Sequence, residues 1–86
     1  MTVTLRLFAA AREAAGRSRD EYDLTTAPTV GALLDVAVAA YGAHFAAVLA
    51  QSRVWVNGDE PADGSGTRLA DDDEVAVLPP VSGGIA

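Results

Sequence analysis

The segment with the clearest chemical potential is Pro79-Pro80-Val81-Ser82-Gly83-Gly84, directly after the alternating run Glu74 to Leu78. Neither proline can donate a ladder hydrogen bond, so the pair ends a strand and favours an extended, polyproline-like path beyond it. Glycine lacks a Cβ, so Gly83-Gly84 can thread a narrow channel and adopt backbone angles closed to other residues. A carboxylate at the tip of such an arm can reach into another protein's active site, be activated there as an acyl-adenylate, and be attacked by a nucleophile. The same residues also fit an ordinary flexible terminus. Ile85-Ala86 follows, so the Gly84 carbonyl is tied into a peptide bond in the chain as it stands.

Other reactive groups are isolated. The single His44 sits between Ala43 and Phe45 near the end of a helical stretch, where a surface role is the simpler reading. The run Asp71 to Glu74 lacks the spacing of a calcium loop and reads as a solvated turn, with some attraction for a basic partner. Ser18, Ser52, Ser65 and Ser82 have no partnered base in a recognisable arrangement. Gly64 and Gly66 lack the strand-to-helix setting of a phosphate loop. No metal site is expected, and the domain does not read as an enzyme on its own.

Composition narrows the chemistry further. There is no Cys, which removes disulfides, thiolate metal sites and cysteine nucleophiles. All six basic residues are Arg, so lysine Schiff-base chemistry is absent too. A net charge of −6 argues against nucleic acid as a partner. No apolar run approaches the ~18 residues of a membrane span, and the alternating N-terminus is unlike a signal peptide, so a cytoplasmic protein without a membrane partner is expected. At 86 residues the chain forms one small domain, burying roughly 60% of its unfolded surface. Eighteen of its apolar residues are Ala, leaving a few Val, Leu and aromatic positions to build the core.

The elements that would hold the arm follow from periodicity. Residues 2–8 alternate, with Val3, Leu5 and Leu7 on one face and Thr2, Thr4, Arg6 and Phe8 on the other: a half-buried strand. Phe8 to Ala15 are mostly helix formers closed by Gly16, a short helix. Residues 17–24 return to strand, with Tyr22 and Leu24 on one face. Thr29 is a good N-cap for a helix whose stripe is Val30, Leu33, Leu34, Ala37, Val38 and Tyr41, stopped by Gly42. A second helical stretch spans Ala43–Ala50. Arg53 to Val56 forms a strand running into an Asn57-Gly58 turn; Asp59 to Gly66 is expected to be loop, Leu69 a core anchor, and Glu74 to Leu78 the last strand. The economical assembly is α+β: a mixed sheet with the first and last strands parallel in its middle and one main helix across one face. Residues 1–80 form that domain, and 81–86 a flexible tail.

The chain is similar to the MoaD/ThiS superfamily of ubiquitin-like sulfur carriers. Val3 to Ala9 running into Arg12-Glu13-Ala14-Ala15-Gly16 resembles its first strand and helix, and Thr29-Val30 with Leu33-Leu34 resembles the start of its main helix. Val56-Asn57-Gly58 resembles its V-N-G turn. Leu69 to Val75 resembles its L-x-D-G-D-E-V approach to the last strand, with Asp72 in place of glycine. Pro79 to Gly84 resembles its C-terminal arm, more as in MoaD, the small subunit of molybdopterin synthase, than in the thiazole-pathway carrier.

The resemblance implies a ubiquitin-like β-grasp fold and a sulfur-carrying role in molybdenum cofactor biosynthesis. An E1-like activating enzyme would use ATP to adenylate the glycine carboxylate, and a sulfur donor would convert it to a thiocarboxylate. Docked on the large subunit of molybdopterin synthase, the carrier would then supply sulfur for the dithiolene. It would bind no cofactor itself. Family members of this type usually end at the second glycine, so the chain is expected to be a precursor from which a peptidase removes Ile85-Ala86, the alternative being that these two residues leave this member inactive or reassigned. Gly84 would then be the reactive residue and Gly83 its slim neighbour, with Pro79, Pro80, Val81 and Ser82 presenting the arm. The docking surface would lie on the sheet face opposite the helix, with Phe8 and Trp55 as apolar contacts and Arg6 or Arg53 beside them; Phe8 and Trp55 also fit a core. Two other roles suit the same arm: carrying sulfur for another pathway (cysteine, thiazole or another metabolite), and acting as a ubiquitin-like protein modifier or binding module.

Overall fold

The computed structural model describes residues 1–80. The chain runs β1 (Thr2–Leu7), α1 (Ala9–Ala15), β2 (Arg19–Asp23), α2 (Val30–Tyr41), α3 (Ala43–Leu49), β3 (Arg53–Val56), a 3₁₀ turn (Gly64–Gly66) and β4 (Glu74–Leu78). The four strands form one sheet in the order β2-β1-β4-β3. The central pair, β1 and β4, is parallel, with Thr4 opposite Glu74 and Leu7 opposite Val77. The outer pairs are antiparallel. This is the mixed sheet expected from the sequence, with the ubiquitin-like β-grasp topology.

Alternation along the strands sorts the two faces. Val3, Leu5, Leu7, Val75 and Val77 are buried on the helix side. They meet Val30, Leu33 and Ala37 from the stripe of α2, and Leu69 joins them. Thr29 caps α2 as its sequence position predicts: its Oγ1 accepts the Ala32 N–H at 3.1 Å. The cover is broader than one main helix, because α3 drives Phe45 completely into the core and α1 contributes Ala11. Phe45 meets the ring of Tyr41 edge-on, with centroids 5.0 Å apart. Its burial also accounts for how an alanine-rich chain fills its interior.

The segment expected to be loop from Asp59 to Gly66 contains the 3₁₀ turn, which packs on α2. Gly31 makes this possible, since a Cβ there would lie 3.0 Å from the carbonyl oxygen of Ser65. That contact joins residues 34 positions apart, beyond the reach of local periodicity. At the end of β3, Asn57 and Gly58 both take positive φ (52° and 87°), the geometry of a tight hairpin turn, and Val56 and Asp59 exchange backbone hydrogen bonds of 2.7 and 3.0 Å.

Candidate functional site

β4 carries the chain out of the sheet from a central position. Its last turn of ladder is shared with β1, where the Phe8 N–H donates to the Val77 carbonyl at 3.2 Å. Pro79 and Pro80 follow, exposed, and line one side of a cleft of about 310 Å³. The other walls are Ala9, Ala10 and Ala11 of α1, Ala47 and Val48 of α3, and Gln51 and Ser52. The root of the arm therefore runs along an apolar groove. Val81, Ser82, Gly83 and Gly84, expected to present and carry the reactive end, lie outside the described residues.

The four residues expected to dock a partner share the sheet face away from the helices. Arg6 and Trp55 flank Ala76 from opposite sides, and Arg53 pairs with Leu78 on the last rung before the prolines. The Arg6 guanidinium carbon lies 5.5 Å from the centroid of the Phe8 ring, which fixes Phe8 on the same face. Phe8 is 37% exposed. Val54 and Val56 pack on the core while Trp55 between them faces the other way. Neither residue belongs to the core cluster under the helices: Phe8 is exposed and Trp55 is half-buried on the outer face. Arg6 also meets Glu74 at 3.3 Å; both are well exposed, so the pair contributes little to stability. The indole N–H of Trp55 is buried with no acceptor among the described residues.

Ala76 and Leu78 complete this apolar patch, and neither was assigned a role from the sequence. The signal was present in the alternation of β4. With Val75 and Val77 inward, Ala76 and Leu78 must face outward, beside a strand that carries a tryptophan.

The acidic run lies at the other end of β4. Its side chains secure the turn: Asp71 Oδ1 accepts the Thr2 N–H, Asp73 Oδ2 accepts the Ala70 N–H, and Asp73 Oδ1 accepts from Asn57 Nδ2, all at 2.8–2.9 Å. Asp72 stands at φ 69°, the left-handed conformation that glycine takes freely. A second polar cluster sits where β2 meets the end of α2. The Tyr22 hydroxyl donates to the Tyr41 hydroxyl (3.1 Å), which donates to Asp20 Oδ2 (2.7 Å), while Arg17 meets the same carboxylate oxygen at 3.2 Å. Burial pushes the Asp20 carboxyl up, but the Tyr41 hydroxyl, the Glu21 N–H and Arg17 together hold it below its ordinary value. Burial, together with its place in this chain of hydrogen bonds, drives the Tyr41 phenol far above its ordinary range.

Chemically, the described residues offer a platform. Ser52 donates its hydroxyl to the Val48 carbonyl at 2.8 Å, and His44 stands exposed on α3. No helix among these residues is long and apolar enough to cross a membrane. What they place together is an arm root at one end of the sheet and an apolar, arginine-edged face beside it.

A model described as the ThiS family matches residues 5–84. No curated protein matches the chain. Among solved structures, SAMP1 from Haloferax volcanii is 34% identical, with a TM-score of 0.79 over 98% of this chain and 100% of that one. A putative molybdopterin converting factor, subunit 1, from Pyrococcus furiosus is 27% identical, with a TM-score of 0.78 over 94% and 99%. The fold also matches a structure described as the complex of subunits 1 and 2 of molybdopterin-converting factor from Helicobacter pylori, at 24% identity and a TM-score of 0.69 over 98% and 100%.

Proposed function

The chain belongs to the ThiS family of ubiquitin-like sulfur carriers, small proteins that are not themselves enzymes, and on that premise we propose that it carries sulfur for molybdopterin synthesis on Gly84. Removal of Ile85-Ala86 by a peptidase frees the Gly84 carboxylate. An E1-like enzyme adenylates it with ATP, the carboxylate oxygen attacking the α-phosphate and pyrophosphate leaving. A sulfur donor then displaces AMP to give the thiocarboxylate. The observation that carries this reading is the arm root: two prolines leave the central strand beside an apolar face bearing Phe8, Trp55, Ala76 and Leu78. The family match ends at Gly84, which agrees with trimming at that bond.

The partner for the outer face is the large subunit of molybdopterin synthase. The complex of the two Helicobacter pylori subunits and the likeness to the Pyrococcus furiosus subunit 1 support this choice. Arg6 and Arg53 at the edge of the patch supply charge for acidic groups on that subunit. Phe8 and Trp55 supply the aromatic area that interfaces favour.

A second reading has its own observation. The 34% identity to a protein named as a small archaeal modifier favours attachment of Gly84 to amines of other proteins. Carriage of sulfur to another metabolite uses the same arm. Purification of the tagged chain from its own cells separates these roles. Co-purification with a molybdopterin synthase large subunit supports the first, and isopeptide-linked adducts without that subunit support the modifier.

A further inference from the structure

Asn57 is the sole asparagine of the chain, and Gly58 follows it. In an Asn-Gly pair the glycine nitrogen can attack the side-chain amide carbon of the asparagine, because no Cβ shields the approach. Here the nucleophile is open. Gly58 is exposed, nothing beyond its chain neighbours lies within 4 Å of where a Cβ would stand, and its N–H donates no hydrogen bond among the described residues. The electrophile is held. Asn57 Oδ1 accepts the Glu74 N–H at 2.9 Å, and Nδ2 donates to Asp73 Oδ1 at 2.9 Å. Both polar atoms of the amide are tied to the start of β4, so turning Cγ toward the Gly58 nitrogen breaks both bonds together.

We propose that Asn57 is a deamidation site gated by this clamp: it stays intact while the hairpin is bonded to β4 and reacts when the turn opens. The Gly58 nitrogen gives up its proton to solvent base and bonds to Cγ; the Cγ–Nδ2 bond breaks and ammonia leaves, closing a succinimide. Water then opens either carbonyl of the ring, leaving aspartate or isoaspartate at position 57. Neither product rebuilds the clamp. Aspartate sets a carboxylate oxygen where Nδ2 donated, against the Asp73 carboxylate, and the like charges repel. Isoaspartate lengthens the main chain by one methylene just before Gly58. A reversible opening of the turn thereby becomes permanent, at the root of the strand that delivers the arm.

Peptide mapping reads the reaction, since trypsin releases residues 54–68 as a peptide whose sole amide side chain is Asn57. The full chain is incubated at mildly alkaline pH, folded and in urea, and the acid form of that peptide is followed by mass. Conversion is expected to be at least about tenfold slower in the folded chain than in urea, where local Asn-Gly chemistry alone sets the rate. Asp73→Ala removes the acceptor of Nδ2 and is expected to convert severalfold faster than the parent, with urea unfolding in parallel showing the variant folded. The parent chain gives an independent reading: exchange of the Glu74 N–H reports opening of the same clamp, and its rate should rise and fall with Asn57 conversion across temperature. Equal conversion in the folded and unfolded chains overturns the proposal, as does the absence of conversion in urea. So does a folded Asp73→Ala chain that converts no faster than the parent, or conversion indifferent to Glu74 exchange. None of these results depends on whether Gly84 ever carries sulfur.

Discussion

Asn57 and Glu74 exchange two hydrogen bonds: the Asn57 N–H donates to the Glu74 carbonyl at 2.8 Å, and the Glu74 N–H donates to Asn57 Oδ1 at 2.9 Å. The hairpin turn after β3 is thereby clamped to the first residue of β4, the strand that delivers the arm. The same amide donates from Nδ2 to Asp73, and the residue holds φ 52°. Asn57→Ala loses two side-chain hydrogen bonds and strains the turn, and is expected to lower stability by about 1–2 kcal/mol in urea unfolding. Asn57→Gly relieves the strain but not the lost bonds, so it should fall between Ala and the parent.

The outer face separates binding from folding. Phe8→Asp is expected to leave unfolding close to the parent while weakening binding to the synthase large subunit at least about tenfold, measured by calorimetry. Phe45→Ala, in the core, should do the reverse and cost about 3–5 kcal/mol of stability. Trp55→Phe removes an unpaired buried donor and should leave stability equal or higher.

The cluster at the end of α2 gives stability two pH limits. Asp20 is depressed below its unfolded value of 3.8, so its contribution is present above that pH and is lost as pH falls through the lower folded value. Tyr41 is raised above its unfolded value of 10.0, so its contribution is complete below pH 10 and declines as pH rises beyond it. Asp23, lowered by hydrogen bonds from the N–H and hydroxyl of Thr25, adds to the acid limb alone. Thermal unfolding across pH should show Asp20→Asn flattening the acid limb and Tyr41→Phe flattening the alkaline one.

At Asp72 the chain holds a non-glycine residue at φ 69°. No side-chain hydrogen bond of Asp72 offsets this among the described residues, whereas both neighbours are bonded. Asp72→Gly is therefore expected to raise stability by up to about 1 kcal/mol in denaturant unfolding. Gly16→Ala, at φ 78° in the cap of α1, should lower it by a similar amount.

Legibility in the sequence followed the range of the interactions. β1, α1, α2 and β4 were readable because alternation, the helical stripe, Thr29 and Gly16 act within a few residues. The parallel pairing of β1 with β4 was readable from treating the main helix as the crossover between the first and last strands. The contact of Gly31 with Ser65 and the chain from Tyr22 through Tyr41 to Asp20 depend on tertiary approach, and nothing local announces them. The docking face was half legible. Phe8 and Arg6 declared their side by alternation, but Trp55, in a strand of four residues, did so only once its register against Ala76 was known. The cleft beside Pro80 was invisible, because its alanines read simply as helix formers.

The central claim is that Gly84 becomes the sulfur-bearing end of the mature protein, and intact-mass spectrometry of the protein isolated from its own cells tests it most directly. The account predicts a species ending at Gly84, part of it heavier by the exchange of one oxygen for sulfur. Full-length chain alone, with no form ending at Gly84 and no such exchange, would contradict it.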